Sequence, residues 1–405
     1  MEVTSRILAI LMLSVGFVPT LAAQASLTES YEGMFYPDLW YNDVDGIRVG
    51  VQFEGRVPGS DEEGPHRLDA AVWLGTWLPV NPLSYRVRYT EPIPSISTYG
   101  SEGSLQLLSS IREGYQQHGV SFHKRWQQPF NHRDVWEVSV GYHAEQRYNP
   151  DYTLFPELWS SEWKGLIRLT ADHWQDNRVG NFRFSLSADA NILHTPFVSG
   201  NLSIIQIIEI REEIKLKTRG YLGVTSRNAL PEYRHLVGSG PAINKLENPL
   251  TRSRGTIPVA WAESGYLQTA GGANLRGYTR MEMRSLRNGN PELYASVAAW
   301  NLELDLPNPV NRLIQRSEIL GSLLSFRSYL FSDTGFGPGF TETEPEKLLS
   351  SAGAGLALSL SIPDYLGNPR GFVIRYEVPF WLSQPGQEDS VSLRHLIGFG
   401  AVITF

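Results

Sequence analysis

The sequence contains no cysteine among its 405 residues. A disulfide framework, a thiolate metal site and a cysteine nucleophile are therefore excluded. It also has no excess of basic residues, because it contains 35 Lys and Arg and 42 Asp and Glu, which give a net charge of −7. We therefore expect no nucleic acid among its partners. Disorder is disfavoured because 41% of the residues are hydrophobic.

Long hydrophobic runs are missing except near the N-terminus. Residues 7–18 are apolar, follow Arg6 and precede the small residues Ala23 and Ala25. This order is typical of a secretory signal peptide, which we place at residues 1–25, with an uncleaved N-terminal anchor as the alternative. No other segment has the roughly 18 consecutive apolar residues of a helical membrane span. We therefore expect no transmembrane helix in the exported chain.

The sequence instead contains long stretches in which apolar and polar residues alternate. Examples are 47–54, 300–306, 372–380 and 393–405, and the polar positions carry full charges such as Arg48, Glu303 and Arg375. A period of two residues predicts β-strands with one apolar face. The alternation alone fits a water-soluble sandwich, with its charges outside, as well as a membrane barrel, with its charges inside.

Three features favour the barrel. The candidate strands run about 9–13 residues, as tilted membrane strands need. The linkers are unequal, with tight turns such as 78–82 and long polar segments such as 228–270 and 336–348. Aromatic residues lie near the predicted strand ends, as the girdles of a membrane barrel require: Trp73 with Trp77, Trp163 with Trp174, and Phe380 with Trp381.

We therefore predict an all-β transmembrane antiparallel β-barrel of about 16 strands, with a range of about 12–16. It spans residues 44–405 and follows an N-terminal lead-in at 26–43. The candidate strands include 202–217, 218–227 and 255–262. The run Ile204–Ile208 predicts a strand that is buried on both faces.

Five motifs occur in order over residues 271–405. They are Gly271-Gly272-Ala273-Asn274-Leu275-Arg276-Gly277-Tyr278, the strand Asn301–Pro307 with Glu303, Phe331-Ser332-Asp333-Thr334-Gly335, the glycine-rich Ser351–Leu356, and Arg375–Phe380 followed by a strand that ends on Phe405. Together they resemble the BamA-type superfamily, which includes bacterial surface antigens, outer-membrane assembly factors and two-partner secretion transporters.

The resemblance implies a loop that folds into the lumen, where Arg276 pairs with Glu303 and Asp333. A guanidinium suits carboxylates because it presents a planar fork of donors. Gly271, Gly272 and Gly277 would let the loop turn sharply. The alternative for Arg276 is a solvated loop arginine. The remaining implied residues are Leu275 and Tyr278 in the loop, Gly335, Gly353, Gly355 and Pro379 in the strands, and Phe405 as a C-terminal assembly signal.

The implied function is protein or lipid insertion or translocation at the outer membrane of a Gram-negative-type bacterium. A passive pore or structural barrel without a client is the alternative, and an outer-membrane hydrolase is a weaker one. The implied partners are outer-membrane lipid, the barrel-assembly machinery and periplasmic chaperones during biogenesis, and a client that the sequence does not identify. Because only the lead-in precedes the first predicted strand, we expect no POTRA domains.

No cofactor, metal site or enzymatic activity is predicted. The nine histidines form no H-E-x-x-H motif, and neither G-x-S-x-G nor G-x-x-x-x-G-K-[ST] occurs. His118, His123 and His132 lie close together in the sequence, near Asp134. They are the only candidates for a metal or catalytic group, and a solvated loop or lumen surface is the favoured interpretation of them.

Overall fold

The computed structural model describes residues 31–57, 66–78, 82–128, 131, 133–211, 213–246, 248–269, 271–287, 292–337, 347–363, 369–386 and 388–401. The predicted signal peptide and Phe405 lie outside these residues. None of the described helices has the length and apolar character needed to cross a membrane.

Within the described residues, the fold is a long antiparallel β-meander whose connections contain four short α-helices. The strands are β1 (Glu32–Asn42), β2 (Gly46–Val57), β3 (His66–Gly75), β4 (Leu83–Pro92), β5 (Gly103–Arg112), β6 (Tyr115–Gln127), β7 (Asp134–Arg147), β8 (Lys164–Asn177), β9 (Gly180–Asn191), β10 (Phe197–Arg211), β11 (Ile214–Thr225), β12 (Leu267–Thr269), β13 (Ser296–Leu306), β14 (Leu324–Gly337), β15 (Lys347–Pro363), β16 (Pro369–Leu382) and β17 (Leu396–Ala401). The helices are α1 (Val259–Glu263), α2 (Thr279–Arg287), α3 (Pro309–Ile314) and α4 (Glu318–Leu323).

Each strand pairs with its neighbour in the chain, except that β11 pairs with β13. In the described part of the chain the meander thus comprises 16 strands, β1–β11 and β13–β17. The short β12 differs, because it pairs in parallel with β17. The prediction of an all-β antiparallel sheet is confirmed.

Three predictions of where elements begin and end differ from the structure. The predicted lead-in 26–43 contains β1, whose 11 residues pair with β2. The predicted strand 255–262 is wrong, because this segment leads into α1 and lies in the connection between β11 and β13. The predicted boundary between 217 and 218 is also wrong, since β10 ends at Arg211 and β11 begins at Ile214.

The two faces of the sheet separate the two architectures that the alternation left open. On β13, Trp300 is 59% exposed, whereas Asn301 and Glu303 on the opposite face are 0% and 1% exposed. The charged face is therefore the buried one and the apolar face is the exposed one. A water-soluble sandwich has the reverse arrangement, so this polarity favours a membrane barrel.

Trp73 does not belong to an aromatic girdle, contrary to the prediction. It is 2% exposed, and its indole Nε1 donates to Asp38 Oδ2 at 2.5 Å. The Arg48 guanidinium lies 5.1 Å from the centre of its ring. An indole that faces buried polar groups needs a hydrogen-bond acceptor, which Asp38 supplies.

The connection between β11 and β13, residues 226–295, packs against the inner face of the sheet, and we call it the inner loop. Its Tyr233 donates to Glu145 on β7 at 3.4 Å, and its Glu232 accepts from Lys164 on β8 at 2.8 Å. The same loop contacts β1 and β17 through Thr256 and Tyr266. One segment touches the first, middle and last strands, so the sheet curves around it. We call the edge where β1 begins and β17 ends the terminal end.

Candidate functional site: the inner loop and the strand seam

The Leu275-Arg276-Gly277-Tyr278 segment forms a tight turn inside the sheet. Gly271, Gly272 and Gly277 have φ values of 98°, 62° and 96°, in the region that residues with a Cβ rarely adopt. Leu275 and Tyr278 are each 1% exposed, and Tyr278 donates from its hydroxyl to the Ser350 carbonyl at 2.9 Å. The turn therefore buries both flanking side chains and aims Arg276 at the strand wall.

Arg276 is fully buried and bonds to three carboxylates. Its Nε and Nη2 donate to Asp333 at 2.7 and 2.6 Å, which makes a bidentate pair. Its Nη1 donates to Glu303 at 2.7 Å and to Glu377 at 2.9 Å. Its backbone N–H adds a further bond to Asp333 at 3.1 Å. The structure thus brings the predicted Arg276, Glu303 and Asp333 together, and it adds Glu377.

Three further side chains complete this site, and none of them was predicted as a site residue. Arg375 pairs with Glu303 and, at 2.8 Å, with Glu377. The Tyr329 hydroxyl donates to Glu377 at 2.7 Å and accepts from Arg375 Nε at 2.9 Å. We call Arg276, Glu303, Asp333, Glu377 and Arg375, with Tyr329, the arginine cluster. Arg375 and Glu377 stand in a quoted motif, and their inward parity on β16 was the available signal.

The motif glycines make room for the cluster. A Cβ at Gly353 or Gly355 would overlap the ring of Phe331 or Tyr329. The Arg276 guanidinium lies 3.8 Å above the centre of the Phe331 ring, so the ring makes a cation–π contact with the arginine. Larger side chains at these two positions of β15 would displace the rings of Phe331 and Tyr329.

Gly335 and Pro379 shape the same region. A Cβ at Gly335 would lie 2.8 Å from Leu275 Cδ1, so this glycine admits the leucine side chain of the turn. A Cβ at Gly277 would lie 3.1 Å from Pro379 Cβ, so the turn packs closely on β16. The predicted strand residues therefore act as the surface that receives the Leu275–Tyr278 turn.

The inner loop also lies between the first and last strands of the sheet. We call residues 254–269 the seam segment. On one side Asp43 N donates to the Arg254 carbonyl, and Thr256 Oγ1 donates to the Tyr41 carbonyl, each at 3.0 Å. On the other side Ile397 N donates to the Tyr266 carbonyl at 2.7 Å.

The last strand uses both of its edges. Residues 397–399 of β17 pair with β16 on one edge and, in parallel, with β12 of the seam segment on the other. Within the described ranges, which end at residue 401, no ladder joins β1 to β17. The seam segment therefore occupies the place where a first-to-last strand ladder would close the sheet, and we call this place the strand seam.

Gln268 links the strand seam to the buried turn. Its Nε2 donates to Asn274 Oδ1 at 2.8 Å, and its Oε1 accepts from Thr279 Oγ1 at 2.8 Å. Asn274 precedes Leu275 in the turn, and Thr279 begins α2. One buried amide thus connects β12 to both sides of the Arg276 turn.

An ionisable group also holds the inner loop. Glu282 on α2 is buried, and its Oε1 accepts from Gly238 N at 2.6 Å. Burial raises the pKa of Glu282 to about 7, against the lowering effects of the Gly238 and Val237 amides and of Lys245. Burial also lowers the pKa of Lys245 to about 8. The loop thus contains a carboxyl that titrates near neutral pH.

The histidine candidates do not converge. His118 and His123 lie five residues apart on β6, so they project to opposite faces of the sheet. His118 Nδ1 contacts Ser109 Oγ at 2.9 Å, and His123 Nε2 contacts Ser121 Oγ at 2.8 Å. His132 lies outside the described residues. In the part of the chain that the structure covers, no three His, Asp or Glu side chains are placed to hold a metal ion.

No protein-family model matches the sequence, and no match to a curated protein was found. Among solved structures, the fold is similar to BamA from Haemophilus ducreyi lacking POTRA domains 1–3, with a TM-score of 0.50 and 12% identity over 91% of this chain and 70% of that chain. CdiB from Escherichia coli follows, with a TM-score of 0.42 and 9% identity over 92% of this chain and 63% of that chain. OccK11 (OpdR) from Pseudomonas aeruginosa gives 0.30 and 12% over 91% of each chain.

Identities this low make the likeness one of fold alone. The chain has the fold of a BamA-type barrel, and the resemblance predicted from the five motifs is confirmed at that level.

Proposed function

We propose that this BamA-type barrel passes a protein or lipid client into or across the outer membrane through its strand seam. The observation that carries the proposal is the seam itself. Its two strands are separated by the seam segment rather than joined by a ladder of their own in the described residues. A wall that is closed by a loop opens at lower cost than one closed by a full ladder of backbone hydrogen bonds.

The physical basis for a client is strand addition. An unpaired strand edge presents N–H and C=O groups that another extended chain can bind. The edge of β17 already accepts such a strand, because β12 pairs with it over Leu267–Thr269. An extended client segment would compete with these three residues for the same edge. Strand addition is largely independent of side-chain identity, which suits a barrel that serves more than one client.

A passive pore fits the interior less well. The inner loop buries charged contacts against the wall, including the Lys164–Glu232 pair and the Arg276 bonds. Breaking such buried pairs costs about 3–5 kcal/mol each. These contacts hold the inner loop inside the sheet, where it takes up space that a wide diffusional channel would need.

The proposal places the protein in the outer membrane, after export by a cleaved signal peptide. The exposed apolar face of the strands supports lipid as the surrounding medium. Outer-membrane lipid, the barrel-assembly machinery and periplasmic chaperones are the partners it requires, and no enzymatic step is part of it.

Deletion of the gene in its native host tests the proposal. We expect a defined subset of outer-membrane or surface proteins, or one lipid class, to fall in abundance and to recover on complementation. The purified barrel in planar bilayers should show low conductance. Unchanged envelope protein and lipid, together with a large and stable conductance, would favour the passive pore instead.

A further inference from the structure

A cavity of about 380 Å³ lies on the inner face of the sheet at the terminal end. Its walls come from β8–β11 and from β14–β16. The volume lies within the range of about 300–1,000 Å³ that small-molecule sites occupy. None of its lining residues belongs to the inner loop or the strand seam.

Part of the cavity lining is apolar, although a barrel interior is normally polar, and we call this part the floor. Ile205 and Ile207 share the inner face of β10 with Ser203, which accepts a hydrogen bond from the buried Arg219 at 3.0 Å. Val373 and Trp174 also line the cavity. The opposite face of β10 carries Ile204 and Ile208. Only the outward isoleucines of this run serve the exposed apolar face, so the inward pair needs another explanation.

The charged residues that line the cavity are mostly cationic. Arg183, Lys217, Arg327 and Arg375 line it, with Asp176 as the single carboxylate. Lys217 lies 3.5 Å from Asp305, and Arg327 lies 3.3 Å from Glu303. Arg183 differs, because among the described residues it has no hydrogen bond or ion pair. A partly buried guanidinium without a partner is costly, and an anion that binds it would recover that cost.

Every strand that lines the cavity is paired along both edges. Strand addition is therefore unavailable here, and recognition must come from side chains. An apolar floor beside one unpaired guanidinium matches a molecule with an apolar tail and an anionic head. We propose that the cavity binds an amphipathic anion, a single acyl chain that ends in a carboxylate or a phosphate. The chain lies on Ile205, Ile207 and Val373, and the head lies at Arg183.

This site goes beyond the client function and does not depend on it. The test uses the full exported chain, purified in the neutral detergent octaethylene glycol monododecyl ether and examined by native mass spectrometry. The probes are dodecanoate and dodecyl phosphate, with dodecyltrimethylammonium as the cationic analogue. We expect one bound anion per barrel and no bound cation.

Arg183→Gln should raise the dissociation constant of the anion about 10- to 100-fold, the effect of losing one charge-assisted hydrogen bond. Ile207→Asn should also raise the dissociation constant, because it removes apolar surface that the acyl chain contacts. Arg88→Gln is the matched control, because Arg88 also faces inward, on β4, but does not line the cavity. Thermal unfolding of each variant verifies that the barrel is intact.

The two anions distinguish the source of the ligand. Preference for dodecanoate indicates free fatty acids, and preference for dodecyl phosphate indicates lipid phosphate groups; either result supports the site. Equal binding of the ammonium analogue would overturn it. So would unchanged affinity in both Arg183→Gln and Ile207→Asn, or an equal loss in Arg88→Gln.

Discussion

Arg276 bonds to Asp333, Glu303 and Glu377 at once, and water does not reach its side chain. Such a site is costly to build, because every ion has lost its hydration. It is useful as an anchor because the state with the loop inside is much lower in free energy than the state with the loop withdrawn. The folded loop satisfies all the carboxylates, whereas a withdrawn loop leaves them facing one another, with Arg375 and Arg327 as the cations that the described residues still place beside them.

The first prediction at this scale concerns the anchor. Arg276→Ala should destabilise the barrel by about 3–5 kcal/mol, because it leaves buried carboxylates unpaired. The measurement is the temperature at which heat-dependent gel mobility changes, together with single-channel conductance, which should rise. Arg276→Lys keeps the charge but loses the planar fork, so its effect should be intermediate. Glu303→Gln should be weaker than Arg276→Ala. Unchanged heat resistance in Arg276→Ala would remove the anchor role.

The second prediction concerns Glu282. Its pKa of about 7 in the folded protein lies above its ordinary value of 4.5. The folded state therefore favours the neutral carboxyl, and this stabilisation is full below about pH 4.5 and is lost as the pH rises through about 7. Hydrogen exchange at the Gly238 amide, corrected for its intrinsic pH dependence, should be faster at pH 8 than at pH 5.5.

Glu282→Gln is the control for that measurement, because the amide resembles the protonated carboxyl. It should abolish the pH dependence at Gly238, while Lys245 and Glu292, the other ionisable groups that influence Glu282, stay in place. Equal pH dependence in the wild type and in Glu282→Gln would assign the effect to another group.

The sequence predicted part of this chemistry. Parity on β13 placed Glu303 inward beside Asn301, and the structure agrees. The inward position of Asp333 was ambiguous, because Tyr329 and Phe331 share its face and look like lipid-facing residues. The rings face inward because Gly353 and Gly355 leave space for them. This cross-strand fit depends on a register that one sequence does not reveal.

Among the secondary-structure elements, the strands with one polar and one apolar face could be predicted from the sequence. β13 and β16 alternate clearly in sequence because their inner faces carry charged and polar residues while their outer faces carry apolar ones. β1 was missed because it contains Pro37, which the interior of a strand rarely holds. β12 was missed because three residues carry no periodicity, and it exists only through its pairing with β17. Its neighbour α1 was mistaken for part of a strand.

The prediction for this scale tests the pairing of β12 with β17. The chain has no cysteine, so an engineered pair is the only disulfide that can form. Thr269 and Phe399 are ladder partners. Paired strands lie about 4.8 Å apart, inside the window of about 4.4–6.8 Å for a disulfide. Thr269→Cys with Phe399→Cys should cross-link under mild oxidation in isolated membranes.

Thr269→Cys with Ile374→Cys is the matched control. Ile374 is the partner of Phe399 on β16, one strand farther from β12. Its separation from Thr269 is about twice the strand spacing, beyond disulfide reach. Equal cross-linking of both pairs, or of neither, would contradict the position of the seam segment.

For the whole molecule, the decisive property is its polarity, with charge inside and apolar residues outside. Alternation predicted two faces but not which one is buried, since that depends on the solvent around the sheet. The predicted residue ranges of the signal peptide and barrel stay predictions. So does the role of Phe405 as an assembly signal, for which we expect deletion to lower assembled barrel more than synthesis.

The cellular location of the protein follows from this polarity. The protein should fractionate with outer membranes and migrate faster on gels before heating than after it, because the folded sheet resists detergent. Separation of membranes by density, followed by gels of heated and unheated samples, tests both statements. Recovery as a soluble periplasmic monomer would contradict the membrane assignment.

Client passage through the strand seam is tested in cells with the variant that cross-links β12 to β17. A deletion strain is complemented with wild type, with Thr269→Cys plus Phe399→Cys, or with each single-cysteine variant, and the outer-membrane proteins and lipids are quantified. We expect the double variant to assemble normally but to fail to restore the missing client, while both single variants restore it. Full restoration by a barrel in which β12 is covalently held on the edge of β17 would contradict client binding at that edge of the strand seam.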